Sequence, residues 1–288
     1  MYPAEFKYFR VKTLAEAAQL LRKHKGSHLL AGGHSLLPAM KLRVSEPKSL
    51  IDIGGLRGLS GIQAKGKTLV VGAMTTHAAV ASSPVVAKFC PLLAETASQI
   101  GDIQVRNRGT IGGSLAHADP AADYPTAILA LNATIVVRGA KGERKIPAER
   151  FFLDLFTTAL KPGEILTSVV VPVYAKRTGG AYVKHRHPAS SYAVVGVAAL
   201  VELSDGVCKR VSLAVGGAGA TPVRASEAEA TLAGRKPDAE SIEAAGAKAA
   251  SAVADPLSDT YASGEYRLHL ATVLAKRALT QAVARAKG

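Results

Sequence analysis

Two glycine pairs, each closed by a hydroxyl residue, constrain this chain more than any other feature. They are Ala31-Gly32-Gly33-His34-Ser35 and Thr110-Ile111-Gly112-Gly113-Ser114. Glycine lets a backbone approach a large ligand closely, and consecutive amides can then aim at the same oxygens. A helix that follows adds the partial positive charge of its N-terminus. In the sequence each stretch follows an extended segment, and two such cradles suit a diphosphate gripped from two sides. Either pair alone says little, because tight turns need glycine as well.

The second pair runs into SLAHADPAADYP, which admits two other readings. His117, Asp119 and Asp123 offer imidazole and carboxylate ligands for a divalent metal. Their spacing fits no familiar metal loop. Paired carboxylates also do acid–base work, but nothing marks a substrate pocket here. Asp119 before Pro120 is an ordinary turn residue. The sequence therefore assigns no catalytic residue and no metal ligand, and the anion cradle accounts for more of the stretch. A third glycine cluster, Gly216 to Ala220, lacks the last glycine of a dinucleotide fingerprint and the strand–helix unit that must carry it. It reads as a strand-end turn.

The chain has 288 residues, 48% apolar and 20% charged, which predicts a folded globular protein. No apolar run reaches about 18 residues, so no membrane span is expected. The start, MYPAEFKYFRVK, has no apolar stretch of the secretory kind, and a cytoplasmic location is the default expectation. Two cysteines, Cys90 and Cys208, are too few for an iron–sulfur cluster and are expected to be buried, inert thiols. The net charge is +14. Nucleic acid is a weak explanation, because the basic residues are scattered, aromatics make up 5% and no binding motif is present. The densest basic stretch, Lys276 to Lys287, reads as the solvated end of a helix.

Thr13-Leu-Ala-Glu16 is a capping box, and the apolar spacing from Leu14 to Leu21 predicts a helix that stops near Gly26. His28 to Ala31 and SLIDIGG read as strands. TLVVGAM, ATIVVRG, RKIPAERFF and EILTSVVVPV are β-rich, with Pro84 to Gln99 helical between them. AYVKHRH, YAVVGVAALVEL and CKRVSLAVGG are further strands. From Ala225 the chain is helical, with caps at Asp238 and Ser263. The expected division is a small α/β unit over 1–54, a mixed β-rich unit over 55–176, and a sheet-plus-helices domain over 177–288.

LLAGGHSLLPAMKLR followed by QVRNRGTIGGSLAHADPAADYP resembles the FAD-binding medium subunit of the molybdenum hydroxylases. That group includes bacterial carbon monoxide dehydrogenase and the flavin part of xanthine dehydrogenase. The likeness covers essentially the whole chain, including Ser191-Tyr192-Ala-Val-Val-Gly and GGAGATPVRA. It implies an α+β protein. Its FAD-binding part would be the two-subdomain fold of the vanillyl-alcohol-oxidase (PCMH) type rather than a Rossmann fold. A three-stranded sheet with a helical bundle would follow.

The resemblance also implies roles for residues. Ala31, Gly32, Gly33, His34, Ser35 and Leu36 would form the first pyrophosphate loop. Thr110, Ile111, Gly112, Gly113 and Ser114 would form the second, with serine where many relatives carry asparagine. Asp123 matches an acid that holds the ribityl or ribose part of FAD, although a simple helix cap explains it too. Tyr192 sits in the segment that approaches the flavin ring, where it either shields the ring or packs. Lys184 matches a recurring lysine just upstream.

The implied function is an oxidoreductase subunit that holds FAD. Its partners would be a large molybdenum–pterin subunit and a small subunit with 2Fe-2S clusters, arranged as a dimer of heterotrimers (a heterohexamer). Electrons would leave to a quinone, NAD or oxygen, with a quinone reductase system as a possible peripheral contact. A free-standing flavin oxidase and a flavin-free assembly module are the alternatives.

Overall fold

The computed structural model describes residues 1–288 and mixes helices with three main sheets. The first sheet is parallel. Its strands are β1 (Lys7–Arg10), β2 (Ser27–Leu30) and β3 (Ser49–Asp52), with β3 in the middle. Helix α1 (Leu14–Lys23) links β1 to β2, as parallel strands require a crossover. The Thr13 hydroxyl accepts the Glu16 N–H at 3.1 Å, and the Glu16 carboxylate takes the Lys12 N–H at 2.9 Å. Helix α2 (Leu36–Lys41) carries the chain from the first glycine pair toward β3. A small core of Val11, Ala17, Ile51 and Ile53 lies under this sheet.

The second sheet is antiparallel, ordered β4 (Ile62–Lys65), β5 (Thr68–Gly72), β10 (Ile165–Pro172), β6 (Thr134–Gly139), β7 (Gly142–Pro147). Six short helices fill the connection from β5 to β6. They are α3 (His77–Ala81), α4 (Pro84–Phe89), α5 (Pro91–Ser98), α6 (Ile103–Arg108), α7 (Ile111–His117) and α8 (Asp123–Ala130). The segment expected as one helix over 84–99 is two, because Pro91 has no N–H to continue the ladder and starts a new helix after Cys90. RKIPAERFF is strand only to Pro147 and then turns. A hairpin of β8 (Phe152–Asp154) and β9 (Thr157–Thr158) precedes β10 (Ile165–Pro172), the sheet's central strand.

The third sheet is antiparallel: β11 (Thr178–Arg186), β12 (Ala193–Ser204), β13 (Val207–Gly216) and β14 (Val223–Arg224). The expected three strands thus gain a two-residue fourth, because the GGAGATP turn returns the chain so that Val223 and Arg224 pair with Val215 and Ala214. This sheet is buried on both faces. Tyr182, Ala198 and Ala214 point toward α8 and the second sheet, while Ala181, Val197, Ala199 and Val215 point to the tail helices. Burial on both sides explains the near-continuous apolar run of β12. The tail forms α9 (Ser226–Leu232), α10 (Ala239–Ala247) and α11 (Gly264–Lys287), the last two capped by Asp238 and Ser263. Cys90 and Cys208 are free and buried, and burial pushes their thiols up to about 12 and about 11. No helix is long and apolar enough to cross a membrane.

Helix α11 lies on β11 so closely that a Cβ on Gly179 would overlap the Ala282 carbonyl and the Ala286 N–H. Gly179→Ala should therefore destabilise the chain by about 2 to 3 kcal/mol, since neither backbone yields easily. Gly206→Ala, in an open turn at φ +80°, should cost only about 1 kcal/mol. Urea midpoints of the two variants test this, and equal losses would refute the close-approach account.

Candidate functional site

The two glycine pairs meet in space, but they differ in what they offer. The first bridges β2 and α2, with Gly33 in the left-handed region at φ +77°. The N–H groups of Gly32, Gly33, His34, Ser35 and Leu36 donate to no acceptor in the chain. Five consecutive unpartnered donors around a left-handed residue form a concavity suited to an anion. The carbonyls point elsewhere: Gly33 O accepts the Leu37 N–H at 3.0 Å and Ser35 O the Ala39 N–H at 3.1 Å. The His34 ring lies 3.2 Å from Gly32 O through Nδ1.

The second pair is not a free cradle. It follows helix α6, not an extended segment, and it forms the first turn of α7. From Ile111 to Ser114 its amides are all spent within the chain. Ile111 donates to Thr75 O at 3.0 Å, Gly112 to Ala73 O at 2.8 Å, Gly113 to the Thr110 hydroxyl at 3.1 Å, and Ser114 to Thr110 O at 3.0 Å. Ile111 is fully buried in the core. These glycines serve close packing. A Cβ on Gly112 would overlap Ala73, and a Cβ on Gly32 would overlap the Arg108 carbonyl at the end of α6, just before the second stretch. Gly113 faces Ala31. What the second stretch still offers is the Thr110 N–H, which donates to no acceptor in the chain, the half-buried hydroxyl of Ser114 and the hydroxyl hydrogen of Thr110.

Helix α7 ends at Ala118, left-handed at φ +52°. The turn that follows brings Asp123 to the start of α8. Asp119 shapes this turn by accepting the Ala121 N–H at 2.9 Å, and His117 packs on Phe156 with ring centroids 5.1 Å apart. Asp123 is not a helix cap. Its side chain is buried, and Oδ1 accepts the Tyr182 hydroxyl at 2.6 Å and the Lys184 ammonium at 2.8 Å. Oδ2 has no partner in the chain. Tyr182 and Lys184 stand two apart on β11 and so share a face. Gly196 on β12 leaves room for the Tyr182 hydroxyl, since a Cβ there would overlap it. Burial pushes the Asp123 carboxyl up and the Lys184 ammonium down, and each partner opposes the shift in the other.

Lys184 does not reach toward the first stretch. Its three N–H donors are taken by Asp123, Gln99 O and Ser191 O. Tyr192 does reach it. The residue is 40% exposed, and its hydroxyl lies beside Ser35, with Asp119 and Asp123 near enough to help burial raise its pKa. The structure thus brings Tyr192 beside Ser35 with Asp119 and Asp123 near it, and sets Gly113 against Ala31. Tyr182 was missed in the sequence, although its i, i+2 spacing from Lys184 is visible there.

Beneath both stretches sits His77. It is buried, its Nδ1 has no partner, and its ring tilts against Tyr124 with centroids 5.3 Å apart. Its Nε2 lies where a Cβ on Gly109 would fall.

The chain is similar to known proteins over nearly its whole length. Residues 4–174 match the family described as the FAD binding domain in molybdopterin dehydrogenase, and residues 180–282 match the CO dehydrogenase flavoprotein C-terminal domain. The carbon monoxide dehydrogenase medium chain of Hydrogenophaga pseudoflava is 40% identical, with 99% of each chain covered. Subunit alpha of the 6-hydroxypseudooxynicotine dehydrogenase complex of Paenarthrobacter nicotinovorans is 36% identical, covering 100% of this chain and 97% of the relative. Among solved structures, the Hydrogenophaga pseudoflava carbon monoxide dehydrogenase lacking the Mo-pyranopterin moiety superposes with TM-score 0.96, at 41% identity and 99% coverage of both chains. Quinoline 2-oxidoreductase of Pseudomonas putida 86 gives 0.94 at 32% identity and full coverage of both.

Burial, helped by His34 and Arg106, pushes the His77 imidazole from 6.5 down to about 4. The unfolded chain therefore binds more protons than the folded chain between those two values. The stability that His77 contributes is complete above pH 6.5 and is lost as pH falls toward 4, by about 3 kcal/mol. His77→Phe should flatten the fall in the urea midpoint between pH 7 and 4.5. A variant whose pH slope matches wild type would remove His77 as its source.

Proposed function

The chain belongs to the family of FAD-binding medium chains of molybdopterin dehydrogenases, and on that premise we propose that it is the flavoprotein subunit of a molybdenum-containing hydroxylase or dehydrogenase. The row of free amides from Gly32 to Leu36 carries the reading. A pyrophosphate offers only acceptors, and this stretch offers only donors. The free Oδ2 of Asp123 is its complement: an acceptor placed for a sugar or ribityl hydroxyl. The residues present therefore fit FAD.

On this reading the backbone from Ala31 to Leu36 holds the pyrophosphate, with the hydroxyls of Ser35, Thr110 and Ser114 around it. Ile111 and Gly112 hold α7 against the second sheet, and Gly113 keeps the space beside Ala31 open. Asp123 holds the sugar chain, and Tyr192 covers the ring. The fold reads as the vanillyl-alcohol-oxidase (PCMH) type, with residues 1–54 and 55–176 clasping the cofactor and residues 177–288 supplying Lys184 and Tyr192. Bound FAD supplies storage for two electrons between one-electron donors and an outside acceptor: a quinone, NAD or oxygen. The chain's own residues bind and orient it and need no catalytic acid or base. The expected partners are a large molybdenum–pterin subunit, which selects the substrate, and a small 2Fe-2S subunit. A dimer of such heterotrimers in the cytoplasm, in peripheral contact with a quinone reductase system, completes the reading.

An absorption spectrum of the purified chain, alone and co-expressed with its partners, tests this. Flavin bands should appear at equimolar level in at least one setting. Gly33→Val strains a left-handed residue and Gly32→Ala wedges the two stretches apart, so both should lose the bands. Gly58→Ala, which meets open space, should keep them. A colourless wild type in both settings would overturn the flavoprotein reading.

A further inference from the structure

Lys184 carries more structure than a single ion pair. Its side chain is 1% exposed and that of Asp123 is 4% exposed. An ammonium has three donors and no acceptor. Here they go to Gln99 O at 2.9 Å, Asp123 Oδ1 at 2.8 Å and Ser191 O at 2.8 Å. The acceptors lie at the end of α5, the start of α8 and the loop from β11 to β12. No donor remains for a ligand.

A buried ion pair is a poor device for stability, since an apolar pair of equal volume often does as well. Its value here lies in position. Ser191 is left-handed at φ +62°, an unusual conformation for a residue with a Cβ. Its carbonyl is held by Lys184, and its N–H donates to His187 O at 2.9 Å. Tyr192 follows at once. Its carbonyl takes the His187 N–H at 2.8 Å, and its hydroxyl lies beside Ser35. On the other side, Tyr182 and Lys184 share Oδ1 of Asp123, which fixes the rotamer and leaves Oδ2 as the free oxygen. One ammonium thus meets both the carboxylate and the loop.

We propose that Lys184 is a positioning residue that couples the Asp123 carboxylate to the Tyr192 loop, so that one buried ammonium sets both the sugar-side contact and the aromatic cover of the cofactor gap. What the loop covers rests on the flavin reading. The order of the loop does not.

The first test is hydrogen exchange on the chain without flavin, at the Ser191 and Ala193 amides. The latter donates to Ala121 O at 3.1 Å. Lys184→Met removes the tripod but leaves Asp123 buried and uncompensated. The double variant Asp123→Asn/Lys184→Met removes both charges and keeps the fold testable if the single variant unfolds. In each folded variant, exchange at these two amides should rise at least about tenfold while the middle of β12 keeps its protection. Unchanged exchange at Ser191 and Ala193 would overturn the proposal. So would an equal rise across β12, which marks a general structural role.

The second test is iodide quenching of flavin fluorescence in loaded Lys184→Met, or in the loaded double variant if the single one unfolds. Quenching should rise several-fold at unchanged flavin content, because the Tyr192 cover loosens. Loss of flavin with unchanged loop exchange would make Lys184 a direct contact and refute the positioning role. A wild-type chain that takes up no flavin would sink the proposed function and leave the exchange result to decide the coupling.

Discussion

Helix α8 has no face that meets water, and the candidate site depends on that. All eight of its residues are buried. It is enclosed by α5, α7 and the third sheet. A helix so enclosed cannot shift along its axis without opening the core on several sides. Its first residue, Asp123, is therefore delivered to a fixed point. The same packing brings β11 alongside, and Tyr182 and Lys184 come with it. Gly216 takes part as well, since a Cβ there would overlap the Thr126 hydroxyl of α8. The Asp123 side of the site is held by the core of the molecule.

Charge placement follows from that burial. A carboxylate in this position without a partner would take up a proton. Lys184 compensates it, and the carbonyls of Gln99 and Ser191 satisfy the rest of the ammonium. His77 illustrates the opposite solution. With no carboxylate at its ring and His34 and Arg106 nearby, it stays neutral under burial. Two titratable groups within one core region thus hold opposite charge states because one was given a partner and the other was not. Arg267 shows the first solution again at the far side of the third sheet, donating to Val194 O, Gly217 O and Asp259.

The two glycine stretches divide a task that the sequence makes look shared. Both read Gly-Gly followed by a hydroxyl residue within two positions, and their local chemistry is alike. One lies in a loop between a strand and a helix with its donors open. The other lies inside the first turn of a helix, where the 110 carbonyl and hydroxyl and the backbone at 73 and 75 take every amide from 111 to 114. The close contact of Gly32 with the Arg108 carbonyl at the end of α6, and of Gly113 with Ala31, makes the chain leading into and through the second stretch the floor against which the first is shaped.

The sequence by itself determined much of this protein. The capping box at Thr13, the caps at Asp238 and Ser263, the apolar run of β12 and the burial of both cysteines follow from local propensity and periodicity. The motif pair in its order was enough to mark the family. Which amides stay free follows from the folded chain, because a hydrogen-bond partner at Ala73 or Thr75 is set by chain crossing and leaves no trace near residue 111. The fold also decided that Lys184 faces inward onto two carbonyls and a carboxylate from three separate segments, since side-chain direction on a strand is readable but what lies opposite it is not. The fourth strand of the third sheet and the break at Pro91 belong to both. Their turn and proline are plain in the sequence, and only the packing shows which way the chain continues.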